Sequence, residues 1–154
     1  MSTRSTISAL TNDGKNVRTV YCHFDGYPEY MGNMLLSNYT DNDKVQKLMD
    51  LGDLSSVQEH VEPKTDFHCF DNPEDDCCIA YHRDRGEDWD VTKYTEFEYC
   101  NDTFVITYRN KVQRYYSDTE FGYYWNGNAW NIYYMNDFVN LEQFMQEQGI
   151  EIED

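Results

Sequence analysis

Positive charge is scarce in this sequence. Its 154 residues hold 12 lysines and arginines against 29 aspartates and glutamates, a formal net charge of -17. A chain so acidic repels free nucleic acid and anionic lipid, so direct binding to either is not expected, and it attracts basic protein surfaces. Proline is also scarce, at three residues, and no Pro/Gly/Ser-rich linker or internal repeat divides the chain. One domain is therefore expected over 1–154, a length that can bury roughly 70% of its unfolded surface. No apolar run approaches the ~18 residues of a membrane span, and Met1-Ser2-Thr3-Arg4-Ser5 lacks the apolar stretch of a secretory leader. The five cysteines (Cys22, Cys69, Cys77, Cys78, Cys100) are odd in number and irregular in spacing. Free thiols in a reducing cytoplasm fit that pattern better than a disulfide framework. Glycine-rich phosphate loops and nucleophile motifs are missing too, and no cofactor is implied.

Aromatic residues are plentiful: 16% of the chain, 14 of them tyrosine. Tyrosine buries a large ring and keeps a hydroxyl that needs a partner, which suits sheets and half-wet binding faces. The charge is uneven. Residues 1–60 carry eight acids and five bases; residues 61–154 carry 21 acids and seven bases.

The pattern predicts an α+β fold built on an antiparallel β-sheet. An N-terminal hairpin joins 6–11 to 17–24 through Asn12-Asp13-Gly14, with Val20, Cys22 and Phe24 on one face and Thr19, Tyr21 and His23 on the other. Pro28 opens a helix carrying Met31, Met34, Leu35 and Tyr39. Thr40-Asp41-Asn42-Asp43 reads as a capping box for a second helix, which Gly52 ends, giving an αα-hairpin. Residues 61–76 read as a loop, 77–81 as a short strand and 83–88 as a charged turn. Phe104, Ile106 and Tyr108 alternate with Thr103, Val105 and Thr107. A hairpin then surrounds Asn126-Gly127-Asn128, and Asn140 caps a C-terminal helix with Gln143 at the third position and Val139 placed to staple on Phe144.

Four constellations could carry function. His23, Asp25 and Glu29 sit where a strand gives way to a helix, suited to acid–base work, although Asp25-Gly26 also reads as a plain turn. Arg83 and Arg85, beside Gly86, could fork onto a phosphate-bearing ligand, or could pair with internal carboxylates. His68, Cys69, Cys77, Cys78 and His82 are zinc-capable, but their spacing is not that of zinc knuckles, and no metal site is expected. The acids Asp71, Glu74, Asp75, Asp76, Glu87, Asp88 and Asp90 offer a partner-binding surface, in which spaced carboxylates imitate the phosphate charge of a duplex.

Arg4-Ser5-Thr6-Ile7, then Tyr21-Cys22-His23 with Asp25-Gly26-Tyr27 and Gly32, then Leu51-Gly52-Asp53-Leu54-Ser55-Ser56, and finally Arg83-Asp84-Arg85-Gly86-Glu87 together resemble a family of small proteins encoded by bacteriophages and prophages. The resemblance covers 4–56 and touches 80–90, with Phe24 standing where a tryptophan is expected. It implies a phage accessory protein in the bacterial cytoplasm and assigns no site residue. The expected function is thus binding and inhibition of a basic, nucleic-acid-handling host protein, without enzymatic activity. A small enzyme or phosphate-ligand-binding protein using His23, Asp25, Glu29, Arg83 and Arg85 is the alternative, and a structural or assembly subunit is a second.

Overall fold

The computed structural model describes residues 2–99, 105–108, 111–114, 119–135 and 137–153. Strands β1 (Ser5–Leu10) and β2 (Asn16–Cys22) form the N-terminal hairpin in the register Ser5↔Cys22 to Leu10↔Val17. Its turn closes through Gly14, whose φ of +71° lies where a side chain is disfavoured. A wide helical turn from Pro28 leads into α1 (Asn33–Asn38), followed by α2 (Asn42–Asp50). Met31, Leu35 and Tyr39 recur every four residues and are fully buried. Asp41 holds the cap position of α2 without a side-chain cap bond, contrary to the expected capping box. Asn42 instead accepts the indole N–H of Trp125 at 3.0 Å.

Next come β3 (Leu54–Ser56), β4 (Ile79–Ala80), the short helices α3 (Tyr81–Arg85) and α4 (Trp89–Thr92), and β5 (Thr95–Glu98). The first half of the expected charged turn, 83–85, is thus helical, and Gly86 ends α3 in the left-handed conformation. Strands β6 (Val105–Tyr108) and β7 (Lys111–Arg114) pair as a separate hairpin; Cys100, Thr103 and Phe104 lie outside the described residues. Strands β8 (Phe121–Trp125), β9 (Trp130–Tyr134) and β10 (Asp137–Asn140) precede α5 (Leu141–Glu147). Asn140 caps α5 by accepting the N–H of Gln143 at 3.0 Å, and Phe144 packs on the Tyr134 ring.

The fold is α+β, and among the described residues the main sheet has eight strands in the order β10-β9-β8-β1-β2-β3-β4, with β5 also on β2. Most ladders are antiparallel, as expected, but β1–β8 and β2–β3 are parallel. The central strand β1 recruits β8 from a distant part of the chain, which buries Ile7 and Ala9 beside Tyr123 and Trp125. Their core face meets α1, α2 and α5. Buried aromatic polar groups find partners there: Tyr123 bonds Gly26 O, Tyr39 bonds Gln58 O, and Trp130 bonds Tyr39 O.

Candidate functional site

The edge of β2 is shared. Strand β5 covers Asn16 to Thr19, and β3 begins only at Cys22. The Tyr21 N–H falls in the gap and is met by the carboxylate of Asp53, Oδ1 at 3.0 Å. Burial in this notch pushes the Asp53 carboxyl up to about 6. The notch is tight because Gly52, at φ +76°, lies against the carbonyl of Thr92 and the ring of Trp89; a Cβ there would come within 2.5 Å of that oxygen.

On the face of β2 opposite Val20 and Cys22, Tyr21 and His23 sit two residues apart. The Tyr21 hydroxyl is 2.7 Å from His23 Nδ1, and Ser2 Oγ is 3.0 Å from Nε2. The strand ends at Cys22, so Phe24 leaves the core face expected for it and lies 39% exposed with its ring at the edge of His23. Tyr21 stacks on Tyr81 at 6.5 Å and 28°. This line of rings can relay a proton between hydroxyls or offer a flat surface to a partner. Asp25 and Glu29 make no hydrogen bond or ion pair with His23; Asp25, at φ +59°, turns the chain, and Glu29 lies in the wide helical turn that Pro28 starts. The expected cluster of His23, Asp25 and Glu29 therefore does not assemble around the imidazole.

The 61–76 loop is pinned from beneath by buried His68 and Asp84 with the partly buried Arg83. His68 Nδ1 accepts the Glu74 N–H at 2.9 Å, which assigns the ring proton to Nε2. That nitrogen donates to Cys78 O at 3.1 Å and lies 3.4 Å from Asp84 Oδ2. Asp84 in turn accepts the Ala80 N–H at the start of α3. Arg83 forks onto both Asp84 oxygens, at 2.9 and 3.0 Å, and donates to Val61 O and Cys78 O. Of the two expected ligand-binding arginines, Arg83 is therefore engaged inside the protein, in the internal pairing that the sequence also allowed.

Arg85 points the other way. Its guanidinium carbon lies 4.7 Å from the Phe70 ring centroid and 4.5 Å from that of Tyr81, with Nε 3.3 Å from Glu87 Oε2. Phe70 is brought there by its N–H bond to Asp84 O at 3.0 Å. Phe24, His23, Tyr21, Tyr81, Arg85 and Phe70 thus form one continuous row of ring and cation contacts. The row links segments far apart in sequence.

The acids divide into two kinds. Glu74 accepts the N–H groups of Lys64 and Thr65 and the Thr65 hydroxyl, each at 2.8 Å, and the backbone bond from Lys64 leads in holding its carboxyl below the ordinary value. Asp88 caps α4 through the Asp90 N–H, and Glu87 pairs with Arg85. Asp71, Asp75, Asp76 and Asp90 are exposed to solvent. The stretch 87–90 follows α3 directly, the stretch 71–76 follows Phe70, whose N–H bonds Asp84 O in α3, and Phe67, 81% exposed, lies in the same loop.

The zinc-capable residues diverge. Cys78 is buried against the Tyr39 hydroxyl at 3.2 Å, and His82 Nδ1 bonds Glu87 O at 2.7 Å. No group of three potential metal ligands occurs among the described residues. Burial raises the thiols of Cys22, to about 12, and Cys77, to about 11, which makes both poor nucleophiles. No helix among the described residues is long and apolar enough to cross a membrane.

Sequence reasoning gave Asp53, Tyr21 and Phe70 no role in this region, named Tyr81 and Asp84 only as members of the segment that carries Arg83 and Arg85, and read His68 as zinc-capable. The one local signal was Gly52 before Asp53, a helix stop that swings the next side chain off the helix axis. No family model matches the chain, and neither does any curated protein or solved structure.

Proposed function

We propose that the protein works by binding, with the surface around α3 docking on a basic patch of a nucleic-acid-handling host protein and blocking it. One observation carries this reading: the loop with the acidic stretch 71–76 and the exposed Phe67 and Phe70 bonds α3 through the Phe70 N–H, and the second acidic stretch, 87–90, follows that helix directly. An apolar, aromatic centre with a charged rim is the anatomy of a protein interface. Carboxylates held on a pinned loop stay in place when the partner arrives, which lowers the ordering cost of association. The resemblance to phage-encoded proteins supports a host protein as the target, and imitation of duplex charge supports a nucleic-acid-handling one.

The test uses a variant that leaves the loop architecture intact. Asp71→Lys, Asp75→Lys and Asp90→Lys reverse exposed charges, and Asp76→Asn neutralises a residue at φ +59° that asparagine tolerates. Glu74 and Asp88 stay because they hold backbone N–H groups. Affinity capture from bacterial lysate at about 50 mM salt should retain a basic protein on the wild type and not on the variant. Retention should fall at about 300 mM salt as screening shortens. Equal capture by both proteins at both salts would overturn charge-directed docking.

A further inference from the structure

We propose that Phe70, Tyr81 and Glu87 form a guanidinium cage that the protein fills with its own Arg85, and that an arginine of the partner takes this seat on docking. The proposal rests on the reading that a basic protein docks at this face. It changes the role of Arg85 from a residue that grips an anion to a stand-in for the ligand.

The geometry supports a cage in three ways. First, the chemistry is that of arginine recognition: two aromatic rings face the flat cation, 4.7 and 4.5 Å from its central carbon, and a carboxylate lies 3.3 Å from Nε. Guanidinium is weakly hydrated and planar, so it stacks on rings and pairs with carboxylates at low desolvation cost.

Second, the backbone that carries the walls is held by contacts that do not include the Arg85 side chain. The Tyr81 N–H donates to Asp53 O at 3.0 Å, and its ring stacks on Tyr21. Phe70 is held by its N–H bond to Asp84 O, and Asp84 is pinned by Arg83 and lies against buried His68. Glu87 donates its N–H to Tyr81 O at 3.1 Å and accepts from the His82 ring at its own carbonyl. Removing the Arg85 side chain therefore leaves in place the backbone that carries all three walls, together with the Tyr81 ring.

Third, the present occupant is easily exchanged. Arg85 is the last residue of α3, beside Gly86, and its side chain remains 32% accessible. Replacing it with a partner's arginine conserves the stacking and the ion pair. The exchange also adds a positive charge to a protein of net charge -17, so the surrounding field favours it.

The experiment is an NMR titration of Arg85→Ala with N-acetyl-arginine amide, following the ring signals of Phe70 and Tyr81. The variant should bind with at least tenfold higher affinity than the wild type, whose cage is full, and should bind N-acetyl-lysine amide more weakly. Adding Phe70→Leu should abolish the response. If Arg85→Ala keeps a dispersed spectrum but responds no more than the wild type, Arg85 is a loop clip and the cage is refuted. Should Arg85→Ala lose its fold, Arg85→Lys replaces it: it keeps a cation but vacates the planar seat, so it should gain arginine-amide binding, and no gain refutes the proposal equally. These titrations involve no partner, so they can fail while salt-sensitive capture succeeds, and the reverse.

Discussion

At the residue scale, Asp53 and His68 hold the surface together by opposite means. Asp53 is an acid in a notch that disfavours its charge, with the carboxyl raised from 3.8 to about 6. A carboxyl raised in the folded state binds its proton more tightly there than in the unfolded chain. Its contribution to stability is therefore complete below about pH 4 and is lost as pH rises through about 6. Asp53→Asn keeps an acceptor for the Tyr21 N–H and removes the buried charge. Discounted for partial solvent screening, it should stabilise the protein by about 1–2 kcal/mol at pH 7.5 and hardly at pH 4, measured by urea unfolding at both values. His68 is neutral by its bonding, with Nδ1 accepting and Nε2 donating. His68→Ala leaves a cavity and strands the Glu74 N–H, so a loss of about 2–4 kcal/mol is expected. Hydrogen exchange should then rise first in the 61–76 loop, which would separate local release from global weakening.

At the element scale, the turns and caps differ in how much neighbouring structure depends on them. Gly127 also has a positive φ, +98°, but open space surrounds it. Gly127→Ala should cost about 1 kcal/mol, the conformational penalty alone. Gly52→Ala meets the Thr92 carbonyl and the Trp89 ring as well, so its cost should be at least twice as large by thermal or urea unfolding. Equal costs would mean that α4 can move away from the notch. Asn140→Ala removes the cap of α5 and should cost about 1 kcal/mol.

At the scale of the whole molecule, a net charge of -17 makes the folded state repel itself. Raising sodium chloride from about 0.05 to about 0.3 M shortens the Debye length from about 14 to about 6 Å. Tm should rise by a few degrees across that range, checked by calorimetry at pH 7.5. The same change should weaken capture of a basic partner. Opposite responses to one variable would identify the charge as a binding device that burdens the fold, whereas parallel responses would contradict it.

Local chemistry was legible in the sequence. Asn12-Asp13-Gly14 and Asn126-Gly127-Asn128 make the turns of two hairpins, Gly52 stops α2, and Asn140 caps α5, because each signal acts through bonds within a few residues. The acidity and its imbalance toward residues 61–154 were legible for the same reason, since charge is a property of composition. The tertiary structure decided the rest. The parallel pairing of β1 with β8 joins residues more than 110 positions apart, and the choice belongs to the total apolar surface buried, which no local pattern encodes. That sheet opens the gap on β2 which Asp53 fills, and that notch seats Tyr81 beside Tyr21. Arg83 and Arg85 look alike in sequence. Two residues along a short helix, however, rotates a side chain by roughly 200°, which turns Arg83 inward to Asp84 and leaves Arg85 over the rings of Phe70 and Tyr81.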